Sequence, residues 1–177
     1  VHIVPPMAIE PAYLAREAGT FKQQLSIPLF VTGRINQPQE AEAIIAKGQA
    51  DVCGMTRALI CDPQMPNKSD SGRAEDVRAC IACNQACIGH FHKGLPISCI
   101  QHPETGRELL YGQPKPSARG KRILVVGGGP AGMKAAAVAA QRGHQVTLYE
   151  ASAQLGGQIQ LAQLLPRRSE FGGASTN

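Results

Sequence analysis

The sequence predicts an α/β fold in which two strand–helix–strand units flank a cysteine-rich segment. Three observations carry that prediction. Apolar runs of strand length alternate with helical patterning over residues 27–62, and the same alternation returns over residues 122–150 around a glycine-rich turn. Between them, four of the chain's six cysteines fall in the spacing C-x2-C-x3-C-x11-C: Cys80, Cys83, Cys87 and Cys99.

Composition narrows the function classes. With 177 residues, 43% hydrophobic and 18% charged, the chain is globular in character and large enough for one ordinary domain or two small ones. It has no tryptophan and only 4% aromatic residues, which argues against a stacking platform for single-stranded nucleic acid. The net charge of +5 is spread along the chain apart from short basic groups at 119–122 and 167–168, the pattern of a solvated surface rather than a nucleic-acid patch. There is no run of eighteen apolar residues and nothing resembling a signal peptide, so a membrane partner is not expected and a reducing cytoplasm is. The chain opens at Val1 in VHIVPPMAI and closes at GGASTN soon after a new element begins, which reads as a fragment of a longer polypeptide.

In the first unit, residues 28–32 read as a buried strand and residues 37–47 as an amphipathic helix with Ala41, Ile44 and Ile45 on one side and Gly48 as its stop. Residues 51–55 then form the next, parallel strand. Gly33 and Arg34 end one strand; Gly54, Thr56 and Arg57 end the other. In an α/β barrel the loops after the last two strands bind phosphate, because glycine amides approach closely and arginine neutralises charge. Two such strand ends side by side suggest a flavin or sugar phosphate, although surface salt bridges are the plainer use of such arginines.

The middle segment, residues 63–111, opens with the polar stretch MPNKSDSGRAEDVR, in which a short helix is expected near residues 74–78. In RACIACNQACIG, separations of three and four residues put Cys80, Cys83 and Cys87 on neighbouring faces of a tight turn or short helix. Gly89, Gly94 and Pro96 let the chain return to bring Cys99 as a fourth ligand. Four thiolates suit either zinc or an iron–sulfur cluster, and three cysteines together with one remote is the commoner cluster layout. An unliganded group of buried cysteines is the plain alternative. Residues 112–121, GQPKPSARGK, lack periodicity and read as a linker.

The second unit occupies residues 122–177. RILVVGGGPAGMKAAAVAAQRGHQVTLYEA reads as strand, glycine turn, helix of about twelve residues, Gly143 cap and second strand ending at Glu150. Gly127, Gly129 and Gly132 occupy the three positions of G-x-G-x-x-G: the tight turn, the close approach to a pyrophosphate and the packing of helix on strand. Glu150 stands where a carboxylate accepts hydrogen bonds from a ribose hydroxyl, which disfavours a 2′-phosphate and points to FAD, NAD or an ADP moiety.

CIACNQACIG with the later SCIQHPETGRE, following GRI and GMTRALICDP and preceding VVGGGPAG, resembles the iron–sulfur flavoproteins of the NADH:flavin oxidoreductase group. That group includes 2,4-dienoyl-CoA reductase, trimethylamine and histamine dehydrogenases and N-methylproline demethylase. The resemblance implies the C-terminal part of a TIM barrel in residues 1–62, with Gly33, Arg34, Thr56 and Arg57 at the FMN phosphate, then a 4Fe-4S cluster on Cys80, Cys83, Cys87 and Cys99, then the start of a Rossmann-like domain. It places FAD, or ADP alone, on Ala131, Glu150, Gln158 and Arg168 beside the three glycines.

The function so implied is an enzyme passing electrons between FAD and FMN through the cluster. In one direction NAD(P)H reduces an unsaturated small-molecule substrate, as in a dienoyl-CoA reductase. In the other an N-demethylase or amine dehydrogenase oxidises a C–N bond and exports electrons, with an electron-transfer protein as partner; an oligomer fits either. The segment alone is expected to be inactive, and its sequence assigns no catalytic acid or base. A zinc-stapled nucleotide-binding module is the reading from another class.

Other residues take plainer readings. His90 and His92 read as solvent-facing or hydrogen-bonded, Cys53 and Cys61 as small core residues, and the alanines of residues 135–140 as ordinary helix packing. His2 falls near the expected end of a sixth barrel strand, where substrate contacts occur in that architecture.

Overall fold

Residues 3–175 are described by a computed structural model of the chain; His2 lies outside them. They form two compact units, one running to Gly106 and the other from Arg107. The sequence placed its linker at residues 112–121. Among the described residues no helix is long and apolar enough to cross a membrane.

In the first unit, β1 (Phe30–Thr32) pairs in parallel with β2 (Val52–Gly54), in the register Phe30 to Val52, Val31 to Cys53 and Thr32 to Gly54. Both strands are shorter than the sequence suggests. Pro28 has no N–H to give a ladder, and at the other end the chain after Gly54 turns directly into α3 (Thr56–Cys61). The connecting helix α2 (Pro38–Ala46) begins with a capping box: the Glu40 carboxylate accepts the N–H groups of Asn36 at 2.6 Å and Gln37 at 3.1 Å. It ends in a Schellman turn, Gly48 N–H to Ile45 O at 2.9 Å and Gln49 N–H to Ile44 O at 3.1 Å, with Gly48 at φ +65°. Ile44 is buried by this arrangement. Ile45 is not: one residue on, it has rotated about 100° off the buried stripe and is exposed.

The core around these elements consists of Ala15, Val31, Ile35, Ile44 and Ala50, with Leu14, Ala41, Cys53 and Met55 packed against it. Ala15 belongs to α1 (Ala15–Lys22), a helix the sequence reading did not anticipate. Lys22 at its end is paired with Asp51 at 2.7 Å, and Asp51 also accepts the Leu29 N–H, so one carboxylate joins the helix to both strands. These bonds, the Lys22 bond first, hold the Asp51 carboxyl below the usual carboxylate range.

The polar stretch before the cysteines is more ordered than expected. It holds α4 (Met65–Asp70) and a 3-10 turn (Ala74–Asp76), and buries Met65 and Val77 against Ala58. Asp62, buried where α3 ends, organises it. Its Oδ2 accepts Lys68 Nζ at 2.6 Å and the Arg78 N–H at 2.9 Å, and its Oδ1 accepts the Gln64 N–H at 3.1 Å. Burial alone would raise this carboxyl, but the Lys68 and Arg78 bonds outweigh it and the pKa is lowered. Cys80 therefore leaves from a fixed point two residues beyond Arg78. The short helix α5 (Ile88–Phe91) follows the third cysteine of the group.

The second unit begins with α6 (Glu108–Tyr111). β3 (Arg122–Val126) and β4 (Gln145–Tyr149) pair in parallel in it, in register from Arg122–Gln145 to Val126–Tyr149. α7 (Pro130–Gln141) connects them, with twelve residues as the sequence predicted, and ends in a second Schellman turn at Gly143. Ile123, Val125, Val146 and Leu148 lie half-buried on one face of the ribbon, while Leu124, Val126 and Tyr149 stand exposed on the other. α8 (Gln158–Ala162) and a 3-10 turn (Ser169–Ser175) complete the unit.

Candidate functional site

The two parallel strands of the first unit end together, and the residues that follow them line one cavity of about 330 Å³. Gly33, Arg34, Thr56 and Arg57 all lie in its wall, with Asn36, Met55 and Cys87. Its size falls in the range of small-molecule sites. Arg34 is buried, and its φ of +57° is a conformation that a non-glycine residue holds only when its surroundings impose it. Arg57 is fixed by two bonds from Nη1, to Pro5 O at 2.8 Å and to Asn84 Oδ1 at 2.7 Å. Asn84 in turn donates to Val4 O at 3.1 Å, so the chain's first described residues are tied to the cysteine loop through one guanidinium.

Cys80, Cys83, Cys87 and Cys99 line a second, smaller cavity with Asn84 and Gln101. It shares Arg57, Ile60 and Cys87 with the first. All six cysteines are unbridged. Among the described residues no three His, Cys, Asp or Glu side chains come together closely enough to hold a single ion. A tetrahedral zinc would draw its sulfurs to within about 3.8 Å of one another. The four thiols surround a shared volume instead of a point.

Local turns aim amides at these sulfurs. The Ala82 N–H donates to Cys80 Sγ at 3.4 Å, the Gln85 N–H to Cys83, and the Gln101 and His102 N–H groups to Cys99. Ala82 and Asn84 take up positive φ to make this possible, the sort of local strain stored at functional sites. Burial pushes the Cys80 thiol up to about 11, although the Ala82 amide and the Arg57 charge pull it down, and burial likewise raises Cys83.

Cys99 behaves differently. Its pKa is lowered, first by a hydrogen bond from the Cys61 thiol and then, against burial, by the Gln101 and His102 amides. Cys61 is raised by the same bond and by burial. Cys61 is buried, in keeping with a small core residue, and its sulfur accepts a bond from Gln101 Nε2 at 3.3 Å, which no local pattern could have signalled. Cys53 is half-buried in β2. His90 Nδ1 lies 2.9 Å from Pro96 O, and His92 is exposed.

In the second unit the three glycines of the loop sit in three different settings. Gly127 sits at φ +103° where β3 turns away. Gly129 caps α7 with open space above it, and a Cβ on Gly132 would collide with Gly127 O. The Glu150 carboxylate is already engaged: Oε2 accepts the Gly128 N–H at 2.6 Å, and Oε1 accepts the Ser152 N–H at 2.9 Å and hydroxyl at 3.1 Å. These bonds, those to Ser152 and Gly128 first, lower its pKa. An ionised carboxylate has about four acceptor positions, so Oε2 retains one for a hydroxyl. The LGGQ turn folds back over the glycine loop, Gly156 N–H to Gly128 O at 2.8 Å, and brings Gln158 to the start of α8. Ala131 is exposed in the first turn of α7. Arg168 is not drawn in: it lies exposed, its backbone bonded to Leu165 and Phe171.

Residues 7–76 match the NADH:flavin oxidoreductase / NADH oxidase family, and residues 125–175 match an NAD(P)-binding Rossmann-like domain. The chain is 48% identical to a metal reductase of Desulforamulus reducens over 95% of its own length and 24% of that protein. It is 42% identical to an N,N-dimethylglycine/sarcosine dehydrogenase of Chromohalobacter salexigens, over 97% of the chain and 25% of the relative. Among solved structures, a 2-naphthoyl-CoA reductase in complex with 2-naphthoyl-CoA superimposes with a TM-score of 0.90 at 34% identity, covering 98% of this chain and 27% of that one. The chain spans about a quarter of the length of the curated relatives it matches.

Proposed function

Because residues 7–76 belong to the NADH:flavin oxidoreductase / NADH oxidase family, we propose that the chain is part of a multi-cofactor flavoenzyme that passes electrons between FAD and FMN through a 4Fe-4S cluster. The observation that carries this reading is the shared wall of the two cavities in the first unit, where Arg57, Ile60 and Cys87 face both. FMN takes the larger cavity, its phosphate met by Gly33, Arg34, Thr56 and Arg57. The four cysteines suit a cluster better than zinc, since each thiolate then meets its own iron around a common volume. When bound, the cluster supplies one-electron transfer between two-electron carriers.

The chain's own residues set the conditions for that transfer. Arg57, held by Pro5 and Asn84, keeps a positive charge between the flavin phosphate and Cys80. The amides of residues 82, 85, 101 and 102 give hydrogen bonds to the sulfurs. FAD lies on Gly127, Gly129, Ala131 and Gly132 with a ribose hydroxyl at Glu150, and Gln158 completes its site, without Arg168.

The direction we favour is NAD(P)H-dependent reduction of an unsaturated substrate, in keeping with relatives named as reductases; relatives named as dehydrogenases support oxidation of a methylated amine as the second reading. Stopped-flow mixing of the full-length protein separates the two. Faster flavin reduction by NADH than by N,N-dimethylglycine supports the reductase direction, and the reverse order overturns it.

A further inference from the structure

Arg57 lines both cavities of the first unit, and its bonds tie it to two other stretches of the chain: Nη1 donates to Pro5 O at 2.8 Å and to Asn84 Oδ1 at 2.7 Å. Asn84 lines the smaller cavity and not the larger. Both ends of its amide are used, since Nδ2 donates to Val4 O at 3.1 Å while Oδ1 takes the arginine. An aspartate there would accept from the arginine but have no N–H for Val4 O.

The backbone around Asn84 is shaped to the same end. Asn84 stands at φ +57°, where asparagine is among the better tolerated residues. Its carbonyl accepts the Gly89 N–H at 3.0 Å, and a Cβ on Gly89 would lie 2.8 Å from that oxygen, so the loop closes only over a residue without one. The Met7 N–H donates to Ala82 O at 3.0 Å, which pins the start of the chain to the same loop. The loop that carries Cys80, Cys83 and Cys87 is therefore the frame on which Arg57 is mounted. Among the described residues the guanidinium makes no other bond, which leaves Nη2 and Nε for an anion.

We propose that Asn84 is a positioning residue for phosphate recognition: from within the cysteine loop it holds the Arg57 guanidinium at the wall of the larger cavity, and so sets that cavity's preference for FMN over riboflavin. This rests on the FMN reading above. A guanidinium fixed before the ligand arrives loses less conformational freedom on binding than a free one, and the gain goes to its charge-assisted bonds with the phosphate. Riboflavin has the same ring and ribityl chain and lacks only the phosphate. The ratio of the two dissociation constants therefore isolates the arginine's share.

The test uses the full-length protein, released from FMN with its iron retained, and titrates FMN and riboflavin into wild type, N84G, R57A and N84G/R57A by flavin fluorescence quenching. N84G keeps a residue suited to positive φ and is expected to weaken FMN about tenfold while riboflavin changes less than about twofold. In the R57A background N84G is expected to change neither by more than about twofold, because its effect passes through the arginine. An unchanged FMN affinity in N84G overturns the proposal. So does equal weakening of both flavins, or an FMN loss as large in the R57A background as in the wild type, either of which would assign Asn84 to packing. If N84G loses its iron, the wild type decides through amide exchange over residues 82–89. Saturating FMN must protect them more than saturating riboflavin does, and equal protection overturns the proposal. A wild type that binds riboflavin as tightly as FMN is a separate result, which removes the phosphate reading and this inference with it.

Discussion

The two units build their sites by opposite routes. In the second, the glycine loop, Glu150 and the LGGQ turn lie within thirty-odd residues and are joined mainly by backbone bonds, such as Gly156 to Gly128 and Gly128 to Glu150. In the first, one cavity wall takes residues from the chain's start, from both strand ends and from the cysteine loop, and single side chains join them: Arg57 to Pro5 and Asn84, Asp62 to Lys68 and Arg78. A backbone site depends on which residues have no side chain; a side-chain site depends on a few charged hubs. The two should therefore fail under different substitutions.

The largest effect is expected at a proposed cluster ligand. C83A in the full-length protein should remove the visible cluster absorption and slow electron passage between the flavins by at least about a hundredfold, while FAD stays bound. Loss of FAD together with the cluster would show that the two sites are not built independently. Next, G132A forces a Cβ onto Gly127 O and must move α7 from the glycine loop. FAD retention should fall about tenfold or more with iron content unchanged, measured as flavin and iron per chain.

The hub Asp62 comes third. D62N leaves Lys68 facing an uncharged amide and should cost about 2–3 kcal/mol in denaturant unfolding. Its pH dependence has a definite sign. A carboxyl whose folded pKa is depressed contributes stability that is complete above the unfolded value of about 3.9 and is lost as pH falls through the folded one. The wild type's advantage over D62N should thus be full above about pH 4 and shrink steadily as pH falls from there through the depressed folded value. An advantage that does not shrink on acidification contradicts the hub. The smallest effect is expected at Glu150: E150Q keeps the side-chain shape and should weaken FAD about three- to tenfold by equilibrium titration, without touching iron content.

These contrasts also explain what was legible in the sequence. The Rossmann unit was readable nearly residue by residue, including the twelve-residue α7 and its Gly143 cap, because its determinants are local: glycine spacing, helical period and strand length. In the first unit the strand–helix–strand order and the paired strand ends, which line the larger cavity, were readable for the same reason. α4 was not, because MPNKSD is polar and carries a proline that reads as a break yet is acceptable in a first helical turn. α3 was hidden in an apolar run too short to show a period. The Gln101 bond to Cys61 and the Arg57 bond to Asn84 join residues far apart in the chain, and no spacing rule reports which side chains a fold will bring together.

The proposed electron passage depends on what the four cysteines hold. Iron, zinc and acid-labile sulfide determined on the anaerobically purified full-length protein, with its visible spectrum before and after dithionite, test this directly. About four irons and four sulfides per chain, with broad visible absorption that bleaches on reduction, is the predicted result. One tightly bound zinc with no sulfide would contradict it.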